Sequence, residues 1–320
     1  MRVAALARYL VTGGAGFIGS HLVDALMAQG YSVSVLDDFS TGHIENLPAG
    51  CLVHRADVAD PAAVRRAMQG VAGCFHLAAI ASVARANEDW LGTHRVNLGG
   101  SITVFDEARR LGGIPVVYAS SAAIYGDVEG VAHEGMTPSP LTAYGADKLG
   151  SELHARVASR VHGVPTMGLR FFNVYGPRQD PSSPYSGVIS IFADAVGAGR
   201  RIRINGDGGQ TRDFVYVADV VAHLQAAMEA LRRDEGHDVL NVCTGQQTSV
   251  LGLAHLLGRL CSRPATLEHG PARPGDIRQS VGSNARAVSV LGVEARVALP
   301  DGLRATLTAL ARSQATHALA

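Results

Sequence analysis

The chain has 320 residues, 28 of them basic and 28 acidic, and its near-zero formal charge and pI near 7.2 leave no basic stripe to hold nucleic acid or an anionic lipid surface. A hydrophobic share of 47% against 18% charged residues suits a buried core in one large domain or two lobes, and excludes disorder as the main state. Cys51, Cys74, Cys243 and Cys261 form no CxxC pair, the histidines form no HExxH, and no run approaches the ~18 apolar residues of a membrane span, so a soluble, cytoplasmic protein with reduced, buried thiols and no metal is expected.

In chain order, short β-branched runs alternate with amphipathic stretches. Strands are expected over residues 9–12, 32–37, 73–78, 116–120 and 166–171, and helices over 17–29, 61–69, 90–111 and 143–161. This alternation predicts an α/β fold, a Rossmann-like doubly wound parallel sheet. After Phe171, the residues Gly176, Pro177, Pro181, Pro184 and Gly187 interrupt any regular sheet, and a smaller substrate-binding lobe is expected to begin there. A strand over 213–217 and a helix over 219–231 are expected to return to the core, so the lobes interleave. Residues 1–172 with a returning segment at about 213–243 then form the cofactor-binding domain, and 173–212 with 244–320 form the other lobe.

The first strand runs into Thr-Gly-Gly-Ala-Gly-Phe-Ile-Gly, which sets Gly13, Gly16 and Gly19 at GxxGxxG spacing ahead of a helix. Glycine serves there for a tight turn, for close approach of backbone to a pyrophosphate, and for packing the helix on the strand; the anion sits at the helix N-terminus. The second strand ends in Asp37-Asp38. A carboxylate at that place accepts hydrogen bonds from the adenosine ribose and repels a 2′-phosphate, and no arginine stands beside it, which favours NAD over NADP. Asp57, following the apolar Leu52-Val53, has the position to meet the adenine.

Of the 28 basic residues, 27 are arginine and one, Lys148, is lysine. It stands four residues after Tyr144, on the same face of a helix, and the strand over 116–120 leads into Ser121. A tyrosine with a pKa near ~10 acts as a base at neutral pH only if its phenolate is stabilised, which a compact ammonium does and a wide guanidinium fork does poorly. Ser121 then bonds the substrate oxygen that loses its proton, and the trio activates a carbinol for hydride loss to a nicotinamide.

Together, TGGAGFIGSHL, LDDFSTG, FHLAA, SSAAIYG, YGADK, RFFNVYGPRQDP, TRDFVYVADV and RPGDIRQS, spread over residues 8–310, resemble the extended short-chain dehydrogenase/reductase family. The nearest likeness is to its nucleotide-sugar 4-epimerases of the UDP-glucose and UDP-N-acetylglucosamine type. The resemblance implies that Tyr144 is the base, Lys148 binds the nicotinamide ribose and Ser121 bonds the sugar 4-oxygen. It implies that NAD lies against Gly13, Gly16, Phe17, Ile18, Gly19, Asp37, Asp38, Thr41, Gly42, Asp57, Val58, Ala78, Ala79 and Phe171. The sugar nucleotide would meet Val83, Ser121, Ala122, Asn173, Arg212, Arg273 and Ser280, of which Asn173 and the two arginines grip the uridine diphosphate.

Relatives that eliminate water carry an Asp-Glu pair after the serine, and those that decarboxylate carry a glutamate; here Ala122-Ala123 follow, which leaves redox chemistry at C4. A small Ser280, where some relatives carry tyrosine, leaves room for a 2-acetamido group. Ala119 departs from the third serine of many relatives. Relatives dimerise through the two long helices, here 90–111 and 143–161, so a homodimer is expected. The rival readings are a net NAD-dependent nucleotide-sugar dehydrogenase or reductase and a catalytically silent NAD-binding scaffold.

Overall fold

The computed structural model describes residues 7–180, 187–233, 236–272 and 277–319. The first half alternates strand and helix: β1 (Arg8–Thr12), α1 (Phe17–Ala28), β2 (Ser32–Asp37), β3 (Leu52–Arg55), α2 (Pro61–Met68), β4 (Gly73–His76), α3 (Val83–Glu88), α4 (Trp90–His94), α5 (Gly100–Arg110), β5 (Val116–Ser121), α6 (Ala143–His162) and β6 (Thr166–Phe171). The second half has shorter strands: β7 (Asn173–Tyr175), α7 (Val188–Gly197), β8 (Ile202–Asn205), β9 (Thr211–Arg212), β10 (Phe214–Tyr216), α8 (Val217–Arg233), β11 (His237–Val242), β12 (Thr248–Ser249), α9 (Val250–Leu260), β13 (Leu267–Gly270), β14 (Gln279–Ser280), α10 (Ala285–Leu291) and α11 (Leu299–Leu319).

Seven parallel strands form one sheet in the order β11-β6-β5-β4-β1-β2-β3. Their alternate side chains feed two cores. Tyr9, Val11, Val33, Val35, Val117 and Leu169 pack with Leu22 and Leu26 of α1 and with Val220, Leu224 and Met228 of α8. Leu10, Leu36, Val116 and Tyr118 point the other way, against Val64 of α2, Phe105 of α5 and Ala155 of α6. The near-continuous apolar runs of these strands therefore reflect burial on both faces, as the doubly wound arrangement requires.

Local signals place the helix ends. Asp60 Oδ1 accepts from the Ala62 and Ala63 amides with Pro61 as the first helical residue of α2. Thr142 Oγ1 accepts from the Gly145 amide to start α6, which ends on Gly163 at φ +66°.

α8 and β11 return to the main sheet, and α10 sends Ala287 and Leu291 into the same core. Tyr175, Ile189, Phe192, Ile204, Phe214, Leu253 and Leu303 form a separate core in the second lobe. Buried Asp213, just before β10, stitches chain segments together. Its Oδ1 accepts from the Thr244 amide (2.8 Å) and hydroxyl (2.7 Å), and its Oδ2 accepts from the Gly245 amide (2.8 Å).

Three details differ from expectation. The helix over 90–111 is broken into α4, a π-helical turn at Arg95–Gly99 and α5. The strand expected over 73–78 stops at His76, although the Leu77 amide still donates to the Thr12 carbonyl of β1. Cys74 and Cys243 are buried, but Cys51 and Cys261 are half-exposed rather than buried. Pro181 and Pro184 lie outside the described residues.

One polar cluster crosses the buried sheet. Arg170 of β6 donates from Nε to Glu152 Oε1 (2.9 Å) and from Nη2 to Glu152 Oε2 (2.7 Å), Glu152 Oε1 also accepts from the Ser120 hydroxyl (2.5 Å), and Arg170 Nη1 donates to the Tyr125 hydroxyl (2.8 Å). Both ends of the ion pair are under a tenth exposed. Removing one end leaves the other charge uncompensated in the interior, so Arg170→Met is expected to lose about 3–5 kcal/mol, while Glu152→Gln combined with Arg170→Met loses less. Urea unfolding midpoints of the parent and the two variants check this.

Candidate active site

The loops that leave β1, β2, β3, β4, β5 and β6 converge on one cavity of about 610 Å³ at the carboxyl ends of the strands. Open parallel sheets bind ligands at that edge because the strand-to-helix turns there present backbone donors and side chains without disturbing the core.

The glycine turn after β1 forms its floor. Gly13 has φ +68°, and a Cβ on it would sit 2.7 Å from the Ala78 amide nitrogen of the loop after β4. A Cβ on Gly19 would sit 2.1 Å from the Gly13 carbonyl oxygen, so α1 packs on the turn only through glycine. Gly16 caps α1, whose first turn, Phe17 to Ser20, carries no charge. This cradle fits a dinucleotide diphosphate, because the first amides of a helix have no intrahelical carbonyl to bond.

Asp37 is 7% exposed at the end of β2, and its carboxylate accepts from the Ala15 amide of the glycine turn and the Phe39 amide, both at 2.9 Å. Burial pushes its carboxyl up, and those two amides oppose the shift. Thr41 and Gly42 line the cavity beside it. Asp38 also lines it, but spends one carboxylate oxygen on the amide and hydroxyl of Ser40. Asp57 accepts from the Ala59 amide and pairs with Arg95 at 2.7 Å; Val58, Ala78 and Ala79 also line the cavity, as does Phe171 at the end of β6, with three strands between it and β2 in the sheet.

Ser121, Tyr144 and Lys148 meet at the other end. β5 brings Ser121, and α6 brings Tyr144 and Lys148 on one stripe. Burial pushes the Tyr144 phenol up, and a hydrogen bond with the Ser121 hydroxyl opposes it. Lys148 is 4% exposed, donates from Nζ to the Ala119 carbonyl (2.8 Å), and lies 5.8 Å from the centre of the Tyr144 ring. Burial holds its ammonium down at about 8. The neighbouring Ser120 is committed to Glu152, which leaves Ser121 as the hydroxyl facing Tyr144.

Behind them lies buried His76. The Ala78 amide donates to Thr12 Oγ1 (3.2 Å), so that hydroxyl donates to His76 Nδ1 (2.8 Å), and His76 Nε2 donates to Ser101 Oγ (3.1 Å), which donates to the Asn97 carbonyl (2.6 Å). This chain suits a neutral imidazole, and burial and the Lys148 charge hold His76 at about 3. Asn97 in turn brackets Ile80, accepting from its amide (2.8 Å) and donating to its carbonyl (3.2 Å), which fixes the loop over the cavity.

Every residue assigned to NAD from the sequence lines this cavity, as do Ser121 and Asn173. Ala122, Arg212 and Ser280 are not among its lining residues. Ala122 opens a short 3₁₀ turn after Ser121, while Arg212 and Ser280 are register partners on the small β12-β9-β14 sheet. Arg212 donates to the Ile277 carbonyl at 2.8 Å. Arg273 and the side chain of Val83 lie outside the described residues. Sequence reasoning missed Arg85, Asp89, Gly92 and Arg95, which also line the cavity. Arg85 and Asp89 precede the helix expected over 90–111, and the four come from α3, α4 and the π turn, parted at Asp89, whose backbone is not helical.

A profile of the family described as NAD dependent epimerase/dehydratase matches residues 9–243. The chain is 37% identical over 308 residues to UDP-glucose 4-epimerase of Mycolicibacterium smegmatis, a match covering 94% of this chain and 97% of that protein. Among solved structures it is similar to UDP-glucose 4-epimerase with UDP-glucose from Thermotoga maritima, with 36% identity, a TM-score of 0.92, and 96% of this chain and 99% of the other covered. It is also similar to UDP-N-acetylglucosamine 4-epimerase from Methanobrevibacter ruminantium M1 in complex with UDP-N-acetylmuramic acid, at 30% identity, a TM-score of 0.91 and coverage of 96% and 99%. A glycine cradle, a buried carboxylate at the end of β2 and a Ser-Tyr-Lys cluster in one cavity agree with these likenesses, and the chain belongs to the NAD dependent epimerase/dehydratase family.

Proposed function

We propose that this protein is an NAD-dependent nucleotide-sugar 4-epimerase that inverts C4 of a UDP-hexose through a transient 4-keto sugar. The observation that carries the reading is the meeting of Ser121, Tyr144 and Lys148 in the cavity that also holds the glycine cradle and Asp37, with only Ala122-Ala123 following the serine. Relatives that lose water or carbon dioxide carry acidic residues at that place, and here two alanines stand there. The same likeness to UDP-sugar 4-epimerases disfavours a net dehydrogenase.

Bound NAD supplies the hydride acceptor and donor. The protein's part is proton control and orientation. Ser121 fixes the sugar 4-hydroxyl against Tyr144, and the Tyr144 oxygen takes the proton from that hydroxyl and returns it after the keto sugar has presented its other face. The Lys148 ammonium lies close enough to the ring to favour the phenolate electrostatically. Its burial behind Ala119 keeps water from screening that charge. Asp37, with Asp38, Thr41, Gly42 and Asp57, is assigned to the adenosine half of NAD, and Asn173, Arg212 and Arg273 to the uridine diphosphate. Residues 1–172 with 213–243 serve as the cofactor domain, and the rest as the sugar-nucleotide lobe. A small Ser280 favours acceptance of 2-acetamido sugars as well as plain hexoses. We assign the protein to the cytoplasm, where its cofactor and nucleotide sugars are supplied.

A homodimer is the proposed assembly. Leu153, Val157 and Val161 recur every four residues along α6 and are 47%, 48% and 68% exposed, beside Ile102 of α5 at 37%. Such a stripe on two adjacent helices suits a four-helix contact between copies. Val157→Asp is expected to halve the mass seen by light scattering without changing the far-UV spectrum.

Proton NMR of the purified protein with UDP-glucose, UDP-galactose and their 2-acetamido forms, without added NAD, is expected to show interconversion of both pairs at constant NADH. Accumulation of NADH with a lasting keto sugar would mean a dehydrogenase, and silence toward UDP-N-acetylglucosamine would remove the role given to Ser280. Tyr144→Phe is expected to lower the rate about 10²–10⁴-fold while NAD stays bound.

Lys148 has a pH signature of its own. Its folded value of about 8 lies below the ordinary 10.5, so across that interval the unfolded chain holds a proton that the folded chain lacks, and stability rises with pH. Cofactor-free Lys148→Met is therefore expected to be more stable than the parent at pH 7, with its advantage shrinking as pH climbs from 8 toward 10, as read from urea midpoints.

A further inference from the structure

Among the described residues, three cationic side chains line the cavity: Arg85, Arg95 and Lys148. Two are committed within the protein. Arg95 Nη2 meets Asp57 Oδ2 at 2.7 Å, and Lys148 Nζ donates to the Ala119 carbonyl. Asp89, the acidic neighbour on the same wall, turns its carboxylate back to accept from the Gly92 amide at the start of α4. Arg85 is half-buried on α3, its amide is taken by Ser82 Oγ (3.0 Å), and among the described residues its guanidinium meets no carboxylate and no acceptor.

A guanidinium drawn partly out of water without an anion loses hydration and gains nothing in exchange. Its planar fork matches two phosphate oxygens at once. The cavity already offers one anion cradle, the uncharged first turn of α1 with its glycines, on an element other than α3. A dinucleotide and a sugar nucleotide bring two diphosphates to one cavity, and the cradle serves one.

We propose that Arg85 binds a diphosphate group in this cavity, as a cation supplied by the α3 wall and separate from Arg212 and Arg273. The proposal rests on the epimerase reading above for the identity of the two nucleotides. Either the sugar nucleotide or NAD can present the group, and the two arms of the test tell them apart.

The full-length protein carrying Arg85→Met or Arg85→Lys is compared with the parent in two assays. Calorimetric titration with UDP reads the sugar-nucleotide side, and NAD retained after dialysis reads the cofactor side. Arg85→Met is expected to weaken UDP binding about tenfold, the scale of one lost charge-assisted contact, and to flatten its dependence on salt. Arg85→Lys is expected to recover part of both, because it keeps the charge. Loss of NAD instead of UDP affinity also supports the proposal and assigns the contact to the cofactor. Changes below about threefold in both assays overturn it. So does an equal loss in both variants with the parental salt dependence, which would mean that Arg85 only packs. If Arg85→Met fails to fold, Arg85→Gln is read by the same criteria. A parent that binds neither UDP nor NAD overturns the epimerase reading itself, whereas a parent that binds both beside indifferent variants overturns Arg85 alone.

Discussion

The bidentate pair between Glu152 and Arg170 ties α6 to β6 beneath the carboxyl ends of the central strands, and through the Ser120 hydroxyl it reaches β5 as well. Glu152 follows Lys148 by one helical turn and Tyr144 by two, so a contact made in the core sets the rotation of the helix that carries both into the cavity. Ser120 and Ser121 lie on successive positions of β5. Committing Ser120 to the ion pair turns Ser121 the other way, toward Tyr144. Buried charges are a costly means of holding a helix, and a hydrophobic contact of equal volume would stabilise as much or more. What the pair adds is a defined register, since two forked groups meet in one orientation only.

Electrostatics at the site follow from burial more than from neighbouring charges. Burial is the leading cause that pushes Tyr144 up, holds Lys148 down near 8 and holds His76 near 3. An arginine in place of Lys148 would stay charged at any usable pH and would demand acceptors for its whole fork, whereas the ammonium needs one carbonyl and remains adjustable. A chain that otherwise uses arginine keeps its single lysine where that adjustability matters. Neutral His76 complements this, because a second cation behind Lys148 would depress the ammonium further. Its hydrogen bonds to Thr12 and Ser101 hold it between β1 and α5 without adding charge.

The cavity has a fixed side and an added side. The glycine turn, Asp37 and the ends of β4, β5 and β6 grow directly from the sheet, and their geometry follows from strand spacing. The outer wall, α3 and α4 with the π turn, depends on helix geometry that departs from the regular. The π turn sends Asn97 to both backbone groups of Ile80 while Arg95 reaches Asp57, so one irregular turn braces two loops of the cavity.

The sequence by itself determined the class of fold and most of the cavity. Strand periodicity, glycine spacing and the Tyr144–Lys148 interval are local, and each is set by covalent geometry within a few residues. Asp37 was legible because it follows a strand that follows a glycine turn. The network of Glu152, Arg170, Tyr125 and Asn241 was not, since its members come from four separate segments and only folding brings them within 3 Å. The outer wall was hidden for another reason: an apolar period of 3.6 reads the same through an ordinary helix and through one broken by a π turn, yet the break decides where Arg95 and Asn97 point. Arg212 and Ser280, distant in sequence, proved to be partners on a sheet whose strands are two residues long, too short to leave a periodic signal. Charge pairing was likewise a tertiary matter. Every arginine looks alike in the sequence, and only the packed cavity separates Arg95, held by Asp57, from Arg85, which lines the same cavity with no carboxylate partner among the described residues.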